Sequence, residues 1–475
     1  MPASCRASSP APGSSCSAAS SSSFWWWSRR VSTACGATSA TTSASGHFRI
    51  EYLQQETQGG NTMSKSTSWR TATIAAGAIA LAAGAASAQD KELVFGLQCD
   101  RTGATQTVGI YLCPGYHDYI NLLNSKGGVE GYKIRVMEID HEYKVPPAME
   151  AHERFKKEGA VLEGIYGTPQ TAALTKKLEE DKILGTSPGF GTSAATDGKR
   201  YPYIFPIAAS YWSQGAAAVA FAKKELGGSL KDKKIAYLFY DNPAGKEPLV
   251  ILEDLAKSEG FELRTFAVPA PGVEMAAQVL DITGRYKPDF VIAHLFGRAP
   301  SVSIKEFKGK GYPLSKVISF VWGASEADIK AAGGYEVANG YHTLHFAGVG
   351  LDFQVIKDIN GMYQTQGKPA PKEQEISVFY NRGVMIAAIH AEAARNAIKA
   401  KGGAKPTSED VKKGMEAIKD FTLGGMVPPM QITPEDHEGG GWVQVWTVKD
   451  GKLAKDGDWF QAYREVIKKH LALVN

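Results

Sequence analysis

Three things are scarce in this sequence: cysteine, long apolar runs, and any lasting imbalance of charge. Of its five cysteines, only Cys99 and Cys113 lie beyond the Ser-, Ala- and Thr-rich opening. There is no C-x-x-C, G-x-S-x-G, H-E-x-x-H, Walker A or EF-hand pattern, so no motif supports nucleophilic, metal-assisted or phosphoryl-transfer chemistry. The histidines lack metal-ligand spacing apart from His342 and His345, which fall on an expected strand and read as structural. The apolar run Ile74–Ala83 is too short, and too rich in Ala and Gly, to span a bilayer. From Gln89 onward Lys+Arg and Asp+Glu number 47 each. That balance, without basic clusters, gives no electrostatic case for a nucleic-acid partner. The alternating charges of Lys176–Lys182 (KKLEEDK) suit a solvated helix face.

What is present begins with Met63–Gln89. Basic Lys65 and Arg70 precede the run Ile74–Ala83, and Ala86-Ser87-Ala88 follows. This is the three-part layout of a secretory signal peptide, with cleavage expected between Ala88 and Gln89. Met63 is then the expected start. Residues 1–62 are then expected to be an over-extended leader, and the Ser/Ala/Thr-dominated composition of residues 1–46 cannot offset its own ordering entropy. No cysteine follows the cleavage site as a lipid anchor, so a soluble periplasmic protein is expected. Export into an oxidising compartment permits Cys99 and Cys113 to pair; two separately buried small side chains is the other reading.

After Gln89, short apolar runs alternate with helical segments. Strands are expected at Glu92–Gln98, Lys133–Ile139, Val161–Ile165, Lys234–Tyr240, Leu263–Val268, Asp289–Leu295 and Lys316–Phe320, with helices between. Such alternation predicts an α/β fold of parallel sheets covered on both faces, here two doubly wound lobes of ordinary domain size. Past residue 345 the pattern changes to long helices at Phe353–Gln366, Ser377–Lys401 and Ser408–Ile418. Strands at Met430–Thr433 and Trp442–Lys449, joined by PEDHEGGG, are expected next. A helix at Trp459–Leu473 closes the chain.

This order, together with particular segments, resembles the periplasmic solute-binding proteins of ABC transporters, of the branched-chain amino acid (leucine-binding) type, periplasmic binding fold type I. The segments are DRTGATQTVG (Asp100–Gly109), YINLLNSKGGVEGYKIRV (Tyr119–Val136), GIYGTPQTAAL (Gly164–Leu174), KKIAYLFYDNPAGKE (Lys233–Glu247) and YKPDFVIAHLFG (Tyr286–Gly297). The resemblance implies two lobes, 89–209 with 346–430 and 210–345 with 431–458, and a terminal helix over 459–475. Three crossings join them, near Ala208–Tyr211, Thr343–Ala347 and Pro428–Thr433, and the lobes close on a ligand.

In open α/β sheets ligands sit beyond the carboxyl ends of strands, where helix N-termini offer free N–H groups. Tyr166-Gly167-Thr168-Pro169 fits that need: a strand ends, Gly167 permits close approach, and Thr168 supplies a hydroxyl. Thr168 could equally cap only its own helix. The resemblance favours ligand contact, since the matching loop in the family grips the ligand's α-carboxylate. In the next loop, Gly189 and Phe190 fall where family members hold the amino-acid head group. The fingerprint-like Gly189-x-Gly191-x-x-Ala194 lacks the helix that a dinucleotide site needs.

The other half departs from the family. Ala244 stands where amino-acid binders place a Tyr, and Trp322 where they place the Glu that neutralises an ammonium. Glu326 or Asp241 then serves instead, or the ligand has no ammonium. The candidate wall is aromatic, formed by Tyr166, Phe190, Phe296, Trp322 and Tyr380, with Arg101 and Arg298 available to a carboxylate. Each of these residues also has a plain core or surface reading. The expected protein is a monomeric, non-enzymatic binding component that needs no cofactor. It passes a small-molecule ligand to an ABC permease in the inner membrane. A sensor of the same fold is the rival reading; an amide hydrolase lacks its nucleophile and base. The ligand stays open between a branched-chain amino acid, an aromatic carboxylate, and an amide or urea compound.

Overall fold

The computed structural model describes residues 91–323 and 325–474. The expected leader, signal peptide and cleavage site lie outside the described residues. The chain builds two sheets, one of five strands and one of seven. The first comprises β1 (Glu92–Cys99), β2 (Lys133–Asp140), β3 (Ala160–Gly164), β4 (Leu184–Thr186) and β5 (Ile204–Phe205), ordered β2-β1-β3-β4-β5 and parallel throughout. The second holds β6 (Lys234–Tyr240), β7 (Glu262–Val268), β8 (Phe290–His294), β9 (Val317–Ser319) and β10 (His342–His345) in the same relative order. Two antiparallel strands, β11 (Val443–Lys449) and β12 (Lys452–Phe460), extend its edge. The expected α/β class of doubly wound parallel sheets is therefore the observed one. Strand β1 reads apolar almost without a break and is buried along its length, as a parallel strand covered on both faces must be.

The helices relevant to the cleft are α1 (Gln106–Ser125), α2 (Val145–Lys157), α3 (Thr168–Asp181), α4 (Tyr211–Glu225), α5 (Leu249–Glu259), α6 (Ala299–Gly309) and α7 (Glu326–Ala332). They continue with α8 (Gln354–Thr365), α9 (Ser377–Ala400), α10 (Ser408–Glu416) and α11 (Arg464–Leu473). The chain passes from the five-stranded to the seven-stranded sheet between β5 and α4. It returns after β10 to lay α9 and α10 against the first half, and crosses again before β11.

Helix α9 is buried almost all round, so neighbours cover it on every side. Two glycines let it approach α1: a Cβ on Gly383 would stand 1.9 Å from the Leu112 carbonyl oxygen, and one on Gly115 would stand 2.2 Å from that of Tyr380. His390 of α9 joins the Tyr116 hydroxyl through Nδ1 and the Thr186 hydroxyl through Nε2, both at 2.8 Å. Burial pushes this imidazole down to about 3, so it ties three elements together as a neutral group.

Two expectations at the C-terminal end are corrected. Met430–Thr433 forms only isolated bridges, Phe421 with Met430 and Thr433 with Asp436. The true hairpin turns at Asp450-Gly451, where both residues have positive φ. Trp459 accordingly ends strand β12 instead of opening a helix, and the last helix starts at Arg464. Alternating exposure along β12 marks a half-buried edge strand, a pattern that its many charges hide from a search for apolar runs.

Cys99, at the end of β1, is disulfide-bonded to Cys113 in α1, with Cα atoms 6.6 Å apart and a separation of 14 residues. A loop of that length constrains the unfolded chain by about 3 kcal/mol in the chain-entropy model. Reduction, or Cys113→Ser, should lower the unfolding free energy by that amount in a denaturant melt. An unchanged midpoint would show that the bond does not form.

Candidate functional site

Between the halves lies a small, tightly walled cavity, lined by Thr105, Val108, Tyr143, Tyr166, Phe190, Tyr211, Phe296 and Trp322. Each residue arrives from beside a strand's carboxyl end or from a crossing. Thr105 and Val108 follow β1, Tyr143 follows β2, Tyr166 follows β3, and Phe190 follows β4. Phe296 follows β8, Trp322 follows β9, and Tyr211 opens α4 after the first crossing. The strand order changes direction between β1 and β3 and again between β6 and β8, so the cavity sits at the switch points of both sheets.

The rings hold one another. Phe190 stacks on Trp322 with centroids 4.8 Å apart and planes 12° apart, and Tyr166 leans on Phe190 at 5.6 Å. The edge of Tyr143 meets Tyr166 at 6.4 Å and 88°. The Trp322 indole N–H donates to the Gly189 carbonyl at 2.9 Å, so the second half reaches directly onto the first. Behind Trp322 lies the fully buried Arg382. Its guanidinium carbon is 4.8 Å from the Trp322 centroid and 4.6 Å from that of Phe346, and Nη2 is 3.0 Å from His345 Nδ1. Burial pushes Arg382 down to about 9, against the pull of Glu326 and Asp328.

Of the residues singled out from sequence, Tyr166, Phe190, Phe296 and Trp322 line the cavity together. Thr168 lies behind Tyr211, with the two hydroxyls 3.4 Å apart, and accepts the Gly191 N–H at 3.3 Å. Gly189 contributes the carbonyl that receives Trp322. Gly167 has φ 104°, and a Cβ there would lie 2.3 Å from Gln170 Oε1 and 2.7 Å from the Tyr143 ring. Only glycine fits that corner.

Three placements differ from expectation. Arg101 is turned away into a two-pronged pair with Glu138, at 2.7 and 2.8 Å, because a carboxylate on the neighbouring strand β2 lies within its reach. Tyr380 is buried elsewhere and donates to Asp118 at 2.7 Å. Arg298 is exposed at the start of α6. Nor does either substitute carboxylate enter the wall: Asp241 pairs with Lys246 at 2.6 Å, and Glu326 is bonded to Ser377 and Val378. Among the described residues, no acidic or basic one lines the cavity.

Sequence reading missed Thr105, Val108, Tyr143 and Tyr211. The signal for Tyr143 was available, since it follows strand β2 just as Tyr166 follows β3. It holds φ 59°, a sparsely populated conformation for a bulky residue. Burial, and then the charge of Asp100, push its phenol upward, so it stays a neutral hydroxyl. The carboxylate of Asp100 is itself engaged by the Gly103 and Thr105 N–H groups and the Thr105 hydroxyl, at 2.5 to 2.7 Å.

A family model described as periplasmic binding protein matches residues 92–452, and the chain belongs to that family. Its members are substrate-binding proteins, not enzymes. Among solved structures, one described as an ABC transporter permease from the Pseudomonas fluorescens group is 31% identical, with TM-score 0.73 over 81% of this chain and 96% of that one. A branched-chain amino acid ABC transporter from Thermus thermophilus with bound valine is 19% identical, with TM-score 0.69 over 80% and 99%. A solute-binding protein from R. palustris in complex with benzoate is 20% identical, with TM-score 0.62 over 77% and 96%. The last two show likeness of fold alone. No curated protein matches the chain. No helix among the described residues is long and apolar enough to cross a membrane.

Gly167→Ala tests how tightly this corner is built. The clash with Gln170 and Tyr143, together with the left-handed backbone, should destabilise the protein by about 1–3 kcal/mol in a denaturant melt. An unaltered melt would mean that the corner has slack.

Proposed function

We propose that this chain is the exported binding component of an ABC importer. It captures a small aromatic compound without an ammonium group and passes it to the permease in the inner membrane. The observation that carries the ligand class is the cavity wall: among the described residues it holds six aromatic side chains, one threonine and one valine, with no charged side chain. A buried ammonium without a carboxylate would be costly, whereas flat rings stack favourably on faces such as Phe190 and Trp322. The Thr168 hydroxyl, beside the Tyr211 hydroxyl of the wall, supports a polar end there that suits a carboxylate or amide head group. This reading departs from the branched-chain amino acid default, whose ammonium has no partner in this wall. Export rests on the signal-like segment Met63–Ala88, which makes Gln89 the first residue of the mature chain.

The test is a thermal-shift screen of refolded protein with benzoate, phenylacetate, benzamide, valine and leucine. A binding compound stabilises the folded form by about 2.7 kcal/mol at a hundred times its dissociation constant. Stabilisation by the aromatic compounds, and not by the two amino acids, is expected. Preference for leucine or valine would overturn the ligand class, and silence from every compound would count against the binding role.

For the best aromatic compound, Thr168→Ala should weaken binding by about tenfold to a hundredfold while leaving unfolding nearly unchanged, as expected for one lost hydrogen bond to a charged group. Unchanged affinity in calorimetric titration would remove Thr168 from the head-group end.

A further inference from the structure

We propose that Glu247 and Glu326 form a two-point clasp, in which the second half shuts the cleft by supplying acceptors to backbone N–H groups of the first half. Helix α9 is the longest helix among those described, yet no side chain at its own N-cap position, Ile376, bonds to its first turn. The first N–H groups of a helix have no partner within it, and that end attracts negative charge. The missing acceptor comes from across the cleft. Glu326, the first residue of α7, accepts the Val378 N–H at 3.3 Å and the Ser377 hydroxyl.

The second point repeats this logic. Thr192 makes no side-chain bond to the short helical turn Ser193–Thr196 that it precedes, and the Ser193 N–H donates to Glu247, which lies between β6 and α5. Glu247 stands so close that a Cβ on Gly191 would fall 2.0 Å from its Oε2, and the Trp212 indole fixes its carbonyl at 3.1 Å. Burial raises both carboxyl groups from their ordinary range, and the bonds across the cleft oppose that rise.

Both contacts flank the Phe190–Trp322 stack, with Ser193 three residues beyond Phe190 and Glu326 four beyond Trp322. Opening the cleft would break both without disturbing a strand of either sheet, and water would replace each partner. Such a clasp acts on closure from outside the cavity and needs no assumption about the ligand.

Hydrogen exchange of the ligand-free protein, read by mass spectrometry, tests this directly. Glu326→Ala should speed exchange about tenfold around Ser377–Tyr380 and also around Gly189–Ser193, on the far side of the stack. Glu247→Ala should likewise speed exchange around Gly189–Ser193 and also around Ser377–Tyr380, with strands β1 and β6 staying protected in both. Glu326→Gln and Glu247→Gln keep an acceptor of similar shape and should fall between wild type and alanine. They decide the matter should an alanine variant fail to fold. Faster exchange confined to each variant's own partner, or none, would reduce both residues to local caps and overturn the clasp.

Discussion

A parallel strand cannot turn straight back into its neighbour; it must return by a crossover. The rest of this structure depends on that constraint. The registers Cys99 with Asp140, Leu97 with Gly164, and Gly164 with Thr186 bring the carboxyl ends of β1 to β4 out along one edge. The loops leaving that edge carry Thr105, Tyr143, Tyr166 and Phe190, and the second sheet delivers Phe296 and Trp322 in the same manner. The aromatic wall therefore assembles from residues far apart in sequence, and each is fixed by the end of the strand that precedes it.

Charge is abundant around the cavity and excluded from its wall. Asp100 is taken up by its own loop, Arg101 by Glu138, and Glu247 and Glu326 by N–H groups of the opposite half. Arg382 is sheathed by Trp322, Phe346 and Phe379. Each charge has a local partner or a ring face, so none stands in the wall to pair with a ligand. That arrangement favours a ligand whose recognition rests on shape and ring contact, with a single polar end.

The fold was largely legible because strand–helix alternation is a long-range signal repeated many times, and the first two-thirds of the chain keeps it. The exception proves the physical point. β12 is an edge strand with charged residues on its open face, so it offers no apolar run, and Trp459 looked like the start of a helix. The site was half legible. Tyr166, Phe190, Phe296 and Trp322 follow strand ends and were found; Tyr143 also follows a strand end but lies in no segment of the family resemblance, and Thr105 lies in one without being singled out from it. Arg101 and Tyr380 show the reverse failure, since each has a carboxylate neighbour, Glu138 or Asp118, that sequence spacing cannot reveal. The two acids of the clasp were hidden for the same reason, their partners lying 54 and 52 residues away.

The cleft uses one kind of contact at both ends, with opposite consequences. At the crossings, buried Glu438 accepts the Ser210 N–H at 2.5 Å and pairs with Arg464 at 2.8 Å, while Asp436 takes the other arm of the same guanidinium at 3.1 Å. These groups sit on segments that the chain itself joins, with Ile207 bonded to the His437 carbonyl, so they stay together whether the cleft is open or shut. At the mouth, Glu247 and Glu326 take N–H partners from the other half, 54 and 52 residues away along the chain, although the Trp212 indole also ties Glu247 to the start of α4. A carboxylate that accepts a backbone N–H contributes about 1.5–3 kcal/mol in either place. What differs is the loss of freedom on forming it: the crossings are already held close, whereas the mouth must bring two bodies together each time. The crossings can thus act as a permanent joint and the mouth as a reversible one, although the bonds are chemically alike.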